Sequence, residues 1–251
     1  MLSPQTAAAV GLPLAVPAQR ATGARRLYFV DNLRVGLTFL VIAHHVGQAY
    51  CPTGGAWPIK EAARTLVLAP FCTVNRSFFM SLFFVISGYF MVMSYDAVGS
   101  RAFMKSRLAR LGIPLLVWAL LMVPFQIFAN APAAGGLGSA WPIDVGHMWY
   151  AEHLLIFSLC YVIWHAVRPR RSQAGNRLAD PPGYLPILVF ALLLAVANGI
   201  IRIWYPIDRW VYPLGFVRVA FSDVPCDLSF FVIGALAYRH LWLQRFPTKA
   251  G

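Results

Sequence analysis

Four stretches beyond the N-terminal Ala/Pro/Gly-rich segment stand out for their length without Asp, Glu, Lys or Arg: Val35 to Ile59, Ser77 to Tyr95, Leu111 to Ile143 and Leu185 to Ile201. Crossing about 30 Å of hydrocarbon takes roughly 20 mostly apolar residues as a helix. Inside lipid every backbone N–H and C=O must be paired within the structure, which leaves helices or a closed barrel. A barrel would show sustained apolar-out, polar-in alternation, and none is present. The four stretches are therefore read as helical spans, the third ending near Ala129. A fifth, Met148 to Val167, is apolar apart from Glu152, His153 and His165, and a sixth, Leu228 to Trp242, is shorter. The expected fold class is all-α: a polytopic transmembrane helix bundle of about six spans. Composition agrees, since 59% of the 251 residues are hydrophobic and 12% charged, against about 25% charged in a soluble domain.

The net charge of +12 would suggest nucleic acid in a soluble protein. Here the positive charge is sorted. With a cytoplasmic N-terminus, fourteen of the 21 Lys and Arg residues fall on inner segments, six on outer ones, and Arg34 lies inside the first span. That excess fits the positive-inside rule, places both termini in the cytoplasm, and makes the lipid bilayer rather than nucleic acid the expected partner. The expected location is the cell (inner or plasma) membrane, with multiple passes. Residues 1–24, rich in Ala, Pro and Gly, lack a signal-peptide pattern and are expected to form a disordered cytoplasmic tail. Residues 25–243 form the transmembrane domain and residues 244–251 a second cytoplasmic tail. Cys51 and Cys72 both fall in the first outer connection, where an oxidising compartment would permit a disulfide. Cys160 and Cys226 read as packing residues, and no metal site is expected.

Ionisable groups within a span cost roughly 2.5–3.5 kcal/mol on insertion scales and mark candidate sites. The first span carries Asp31, Arg34, His44 and His45. Eleven residues at about 100° each bring Arg34 and His45 onto one face, roughly 16 Å apart along the axis. Asp31, three residues before Arg34, is placed to pair with it. A neutral imidazole is suited to take a proton from a hydroxyl, so His45 is a candidate general base. His44, about 100° away, should face lipid or a neighbouring helix. Arg107 and Arg110 should present two guanidinium groups on one helix face at the cytoplasmic boundary, a geometry that suits phosphates as well as simple anchoring. Glu152, about a turn beyond Trp149 and Tyr150, is a further catalytic candidate that orients a histidine or stabilises imidazolium. Trp149 and Tyr150 themselves fit an interfacial aromatic belt. Ser87-Gly88 reads as a close helix contact rather than as a nucleophile.

Taken in order, Asp31-Asn-Leu-Arg34 with His45, Phe83-Phe-Val-Ile-Ser-Gly-Tyr-Phe90, Phe103 through Arg107 and Arg110 to Pro114, and His147-Met-Trp149-Tyr150 resemble the membrane acyltransferase-3 family, which includes polysaccharide O-acetyltransferases and a glucan succinyltransferase. The resemblance runs from about Arg26 to Arg239. It implies an acyl-CoA-dependent O-acyltransferase that moves an acyl group, often acetyl, from cytoplasmic acyl-CoA to a hydroxyl of a glycan or other acceptor. It also implies His45 as the catalytic histidine, Arg34 as its motif partner, and Arg107 with Arg110 as the donor-binding pair. Acyl-CoA is then a cosubstrate, with no permanently bound cofactor. Family members have more spans than six, so the chain is expected to be C-terminally shortened. Two other readings stay open: a carrier or flippase with a polar path along Arg34, His45 and Glu152, and an inactive shortened member of the family.

Overall fold

The computed structural model describes residues 28–51, 61, 63–129, 143–167, 178–207 and 209–245. The expected N-terminal tail and residues 246–251 lie outside them. Six helices carry the fold: α1 (Tyr28–Tyr50), α2 (Ala69–Arg107), α3 (Ile113–Ala129), α4 (Trp149–Val167), α5 (Tyr184–Trp204) and α6 (Val224–Arg239), followed by a single turn, α7 (Trp242–Arg245). Among the described residues there is no β-strand, and Val211 and Val219 form one isolated antiparallel bridge. Among the described residues three continuous helical stretches are long and apolar enough to cross a membrane: Leu66–Phe128, Gly146–Val167 and Tyr184–Trp204. The first contains two of the expected spans, α2 and α3. The first and sixth expected spans, α1 and α6, are not among these stretches: α1 carries Asp31, Arg34, His44 and His45. α6 has 16 residues, which at 1.5 Å each reach about 24 Å, short of the hydrocarbon thickness.

α2 is the central element, and two glycines shape it. Gly88 faces α6 so closely that a Cβ there would collide with the Phe231 carbonyl oxygen, and a Cβ on Gly234 of α6 would collide with the Val85 carbonyl oxygen of α2. Each helix thus removes a side chain where the other's backbone passes, as apolar helices do when packing rather than water drives their association. This bears out the reading of Ser87-Gly88 as a packing contact. Gly99 interrupts α2 at φ 78°, ψ 169°, a conformation closed to residues with a Cβ. The helix turns there and resumes as residues 100–107.

That turn folds Phe103 into the interior. Phe103, fully buried, joins Phe84, Met91 and Val92 of α2, Leu154 of α4 and Phe231 of α6 in one core cluster. A second cluster, Val30 and Leu37 with Phe79 and Ile86, seats α1 on α2. At one end of the bundle, Arg239 of α6 ties three helices together: it pairs with Asp96 of α2 at 3.0 Å and donates to the Tyr161 hydroxyl of α4 at 2.8 Å. By contrast α3 and α5 leave Leu116, Leu120, Phe128, Leu188, Leu192 and Val196 exposed. An apolar surface of this extent is untenable in water and matches lipid chains.

Candidate functional site

The residues singled out from the sequence lie on α1, at the end of α2 and in the turn that follows it, and in the first turns of α4. His44 and His45 separate as their 100° offset requires. His44 is buried and packs on Phe79 of α2, ring centroids 5.0 Å apart. His45 turns toward the turn preceding α4, its ring 5.3 Å from that of His147 at an interplanar angle of 67°. His45 Nδ1 lies 2.8 Å from the Val41 carbonyl oxygen. A carbonyl only accepts, so in the neutral ring Nδ1 carries the proton and Nε2 carries the lone pair.

Roughly three turns below on α1, Arg34 lies over the Phe90 ring of α2 with Cζ 5.6 Å from the centroid. It is also within electrostatic reach of the Tyr150 hydroxyl. Tyr150 does not behave as a residue of an aromatic belt. Its hydroxyl turns into the bundle, 2.7 Å from Ser87 Oγ and 3.1 Å from the Phe83 carbonyl oxygen, to which it donates. Ser87 therefore serves as a hydrogen-bond partner of Tyr150.

Arg107 lies on α2 rather than on α1. It ends the resumed part of α2, its guanidinium stacks 5.1 Å from the Phe103 ring, and it too is within electrostatic reach of the Tyr150 hydroxyl and of Arg110. The expectation of one regular helix carrying Arg107 and Arg110 needs correcting. Arg107 ends α2, whereas Arg110 sits in a π-helical turn, Leu108–Gly112, that joins α2 to α3. Such turns widen the helix by one residue and are frequent at functional sites. Here it changes the angular offset between the two guanidinium groups. Asp31 is half-buried one turn before Arg34.

Glu152 is buried, but it meets a partner that the sequence did not indicate. Its Oε2 accepts the backbone N–H of Arg218 at 3.0 Å, and the next residue, His153, donates from Nε2 to the Arg218 carbonyl at 3.1 Å. The Arg218 guanidinium pairs with Asp144 at 2.6 Å and stacks 4.1 Å from the Trp210 ring. Asp144 also accepts the Gly146 N–H at 2.8 Å, and so shapes the turn that presents His147 to His45. His153 Nδ1 faces Asp227 of α6 at 3.8 Å. Glu152 thus acts, in this geometry, on the segment carrying Arg218, which is linked through Asp144 to the turn that carries His147. Counting Arg218 as one outer basic residue gave no hint of this clamp. The signal available was the carboxylate and histidine side by side at positions 152 and 153. Among the described residues no group of three or more His, Cys, Asp or Glu side chains is arranged to hold a metal.

Residues 27–250 match the model of a family described as an acyltransferase domain. A glucans biosynthesis protein C from Escherichia coli O139:H28 is 28% identical over 255 residues, which cover 93% of this chain and 63% of that protein. The protein of the same name from Escherichia coli K12 is 28% identical over 241 residues, covering 89% and 59%. The chain thus spans about three fifths of the length of these curated relatives. No solved structure matches it.

Proposed function

The chain belongs to this family, the acyltransferase-3 family, and from that premise we propose that it transfers an acyl group, acetyl in the first instance, from cytoplasmic acyl-CoA to a hydroxyl of a glycan, with His45 as general base. One observation carries the reading: arginines from two separate motifs, Arg34 and Arg107, both lie within electrostatic range of the same buried hydroxyl of Tyr150, while His45, about three turns from Arg34 on α1, faces His147.

In this reading a groove between α1, α2 and α4 admits a donor from one side of the membrane and an acceptor from the other. Arg107 and Arg110 receive the phosphates of CoA by charge-assisted hydrogen bonds. The pantetheine arm runs between α1 and α4, past Arg34 and Tyr150, and brings the thioester toward His45. With Nδ1 held by Val41, His45 takes the acceptor's O–H proton on Nε2. The oxygen attacks the thioester carbonyl, the C–S bond breaks, and CoA leaves as a thiolate that takes up a proton. The Glu152, Arg218 and Asp144 contacts hold His147 in place beside this step.

Membranes containing the protein, supplied with acetyl-labelled acetyl-CoA and a glycan extract, should move label into the glycan, and the His45→Ala protein should not. Transfer by the His45→Ala protein at the parent rate would overturn the assignment of the base. Absence of label with the parent chain, together with substrate movement across the membrane that needs no acyl-CoA, would replace the reading by a carrier.

A further inference from the structure

Cys51 and Cys72 take no part in the proposed site, and both carry thiols that the structure does not join. Cys51 directly follows the last residue of α1, and Cys72 lies in the first turn of α2. Both are buried, each only 4% exposed, and their thiols are within hydrogen-bonding contact of one another. The packing beneath them is equally close. A Cβ built on Gly47, one turn before Cys51, would lie 3.6 Å from Cys72 Sγ and 3.7 Å from the Phe71 ring. The returning chain is held against the end of α1 by two backbone hydrogen bonds, Thr65 N–H to the Tyr50 carbonyl and Glu61 N–H to the Ala49 carbonyl, both 3.0 Å. The other two cysteines are placed differently: Cys160 is exposed on α4, and Cys226 accepts a hydrogen bond from Asn198 Nδ2 at 3.1 Å.

We infer that Cys51 and Cys72 are joined by an intramolecular disulfide in the mature protein, which fastens the end of α1 to the start of α2. The Lys and Arg distribution places both residues on the outer side of the membrane, where disulfides persist. The oxidant is a protein disulfide of an exported thiol oxidase. One cysteine thiolate attacks a sulfur of that disulfide to give a mixed disulfide, and the second displaces the donor. The Cys51–Cys72 bond forms, and the donor leaves as a dithiol carrying the two protons. The bond would hold the last turns of α1, and so the end bearing His44 and His45, at a fixed distance from α2. This inference is independent of the acyl-transfer reading.

Cells producing the full chain are quenched in acid and denatured in the presence of light N-ethylmaleimide, then reduced and treated with the isotopically heavy reagent. Peptide mass spectrometry should find heavy label on Cys51 and Cys72 and light label on Cys160 and Cys226, with the unreduced protein running as a monomer. Light label on Cys51 and Cys72 would overturn the inference, as would a bond to a second copy or another protein. A second readout tests the fastening. Reduction should lower the thermal midpoint of the parent protein by about 5 °C or more and leave a Cys51→Ser, Cys72→Ser double variant unchanged. An equal response of the two proteins would refute that role.

Discussion

Two adjacent histidines on α1 show how much one residue of helical rotation decides. His44 is buried on Phe79 and His45 opens toward His147, so the two substitutions should fail differently. His45→Ala is expected to lower transfer by about 10²–10⁴-fold, the usual contribution of a general base, with the folded yield in detergent unchanged. His44→Ala is expected to lower the thermal midpoint while the remaining folded protein keeps its turnover; a turnover loss as large as that of His45→Ala would mean the groove has been misassigned. Arg107 invites a more selective test. Losing one charge-assisted hydrogen bond costs about 1.5–3 kcal/mol, so Arg107→Ala should raise KM for acetyl-CoA by at least about tenfold. The same variant should use acetyl-pantetheine, which lacks the nucleotide phosphates, as well as the parent does. Residues of this kind were legible because charge inside an apolar run is conspicuous. Tyr150, Asp144 and Arg218 were not, because a tyrosine near a span end and charges in a connection are ordinary until the fold shows what they touch.

At the scale of helices, glycine decides which contacts are possible. Gly88 and Gly234 let α2 and α6 meet backbone to backbone, and a methyl group at either position forces the helices apart. Gly88→Ala and Gly234→Ala should each destabilise the protein by about 1–3 kcal/mol or more, read as a lower thermal midpoint. Gly36, with open space around its Cβ position, provides the control: Gly36→Ala should leave the midpoint unchanged. Gly99 has a different task, since its positive φ turns α2 so that Phe103 enters the core and Arg107 stacks on the Phe103 ring. Gly99→Ala is expected to cost about 1–3 kcal/mol of backbone strain and to raise KM for acyl-CoA as Arg107→Ala does. An unaltered KM would show that the turn does not position Arg107. Among the described residues the apolar runs located α1 to α6 but not the single turn α7, and Ser87-Gly88 announced a crossing. The break at Gly99 and the π-helical turn at Leu108–Gly112 left no trace in hydrophobic periodicity, because both are settled by what the following residues pack against.

For the whole molecule, the proposed chemistry depends on which side of the membrane each end of the groove faces. The apolar surfaces of α3 and α5 require lipid around the bundle without saying which way it points; the sorting of Lys and Arg supplies that direction. By that rule Arg101, Lys105, Arg107 and Arg110 are expected in the cytoplasm, where the proposed acyl-CoA donor is available, and the end of α1 with its histidines is expected to face outward. Reporter fusions decide the matter. Alkaline phosphatase, which folds only outside the cytoplasm, should be active when joined after Gly136, between α3 and α4, and inactive when joined after Ser172, between α4 and α5. A fluorescent protein that matures only in the cytoplasm should give the opposite result at both positions. The reverse pattern would put the arginine pair outside, away from acyl-CoA, and the proposed donor route could not operate. It would equally place Cys51 and Cys72 in the reducing cytoplasm, so the same experiment bears on the disulfide.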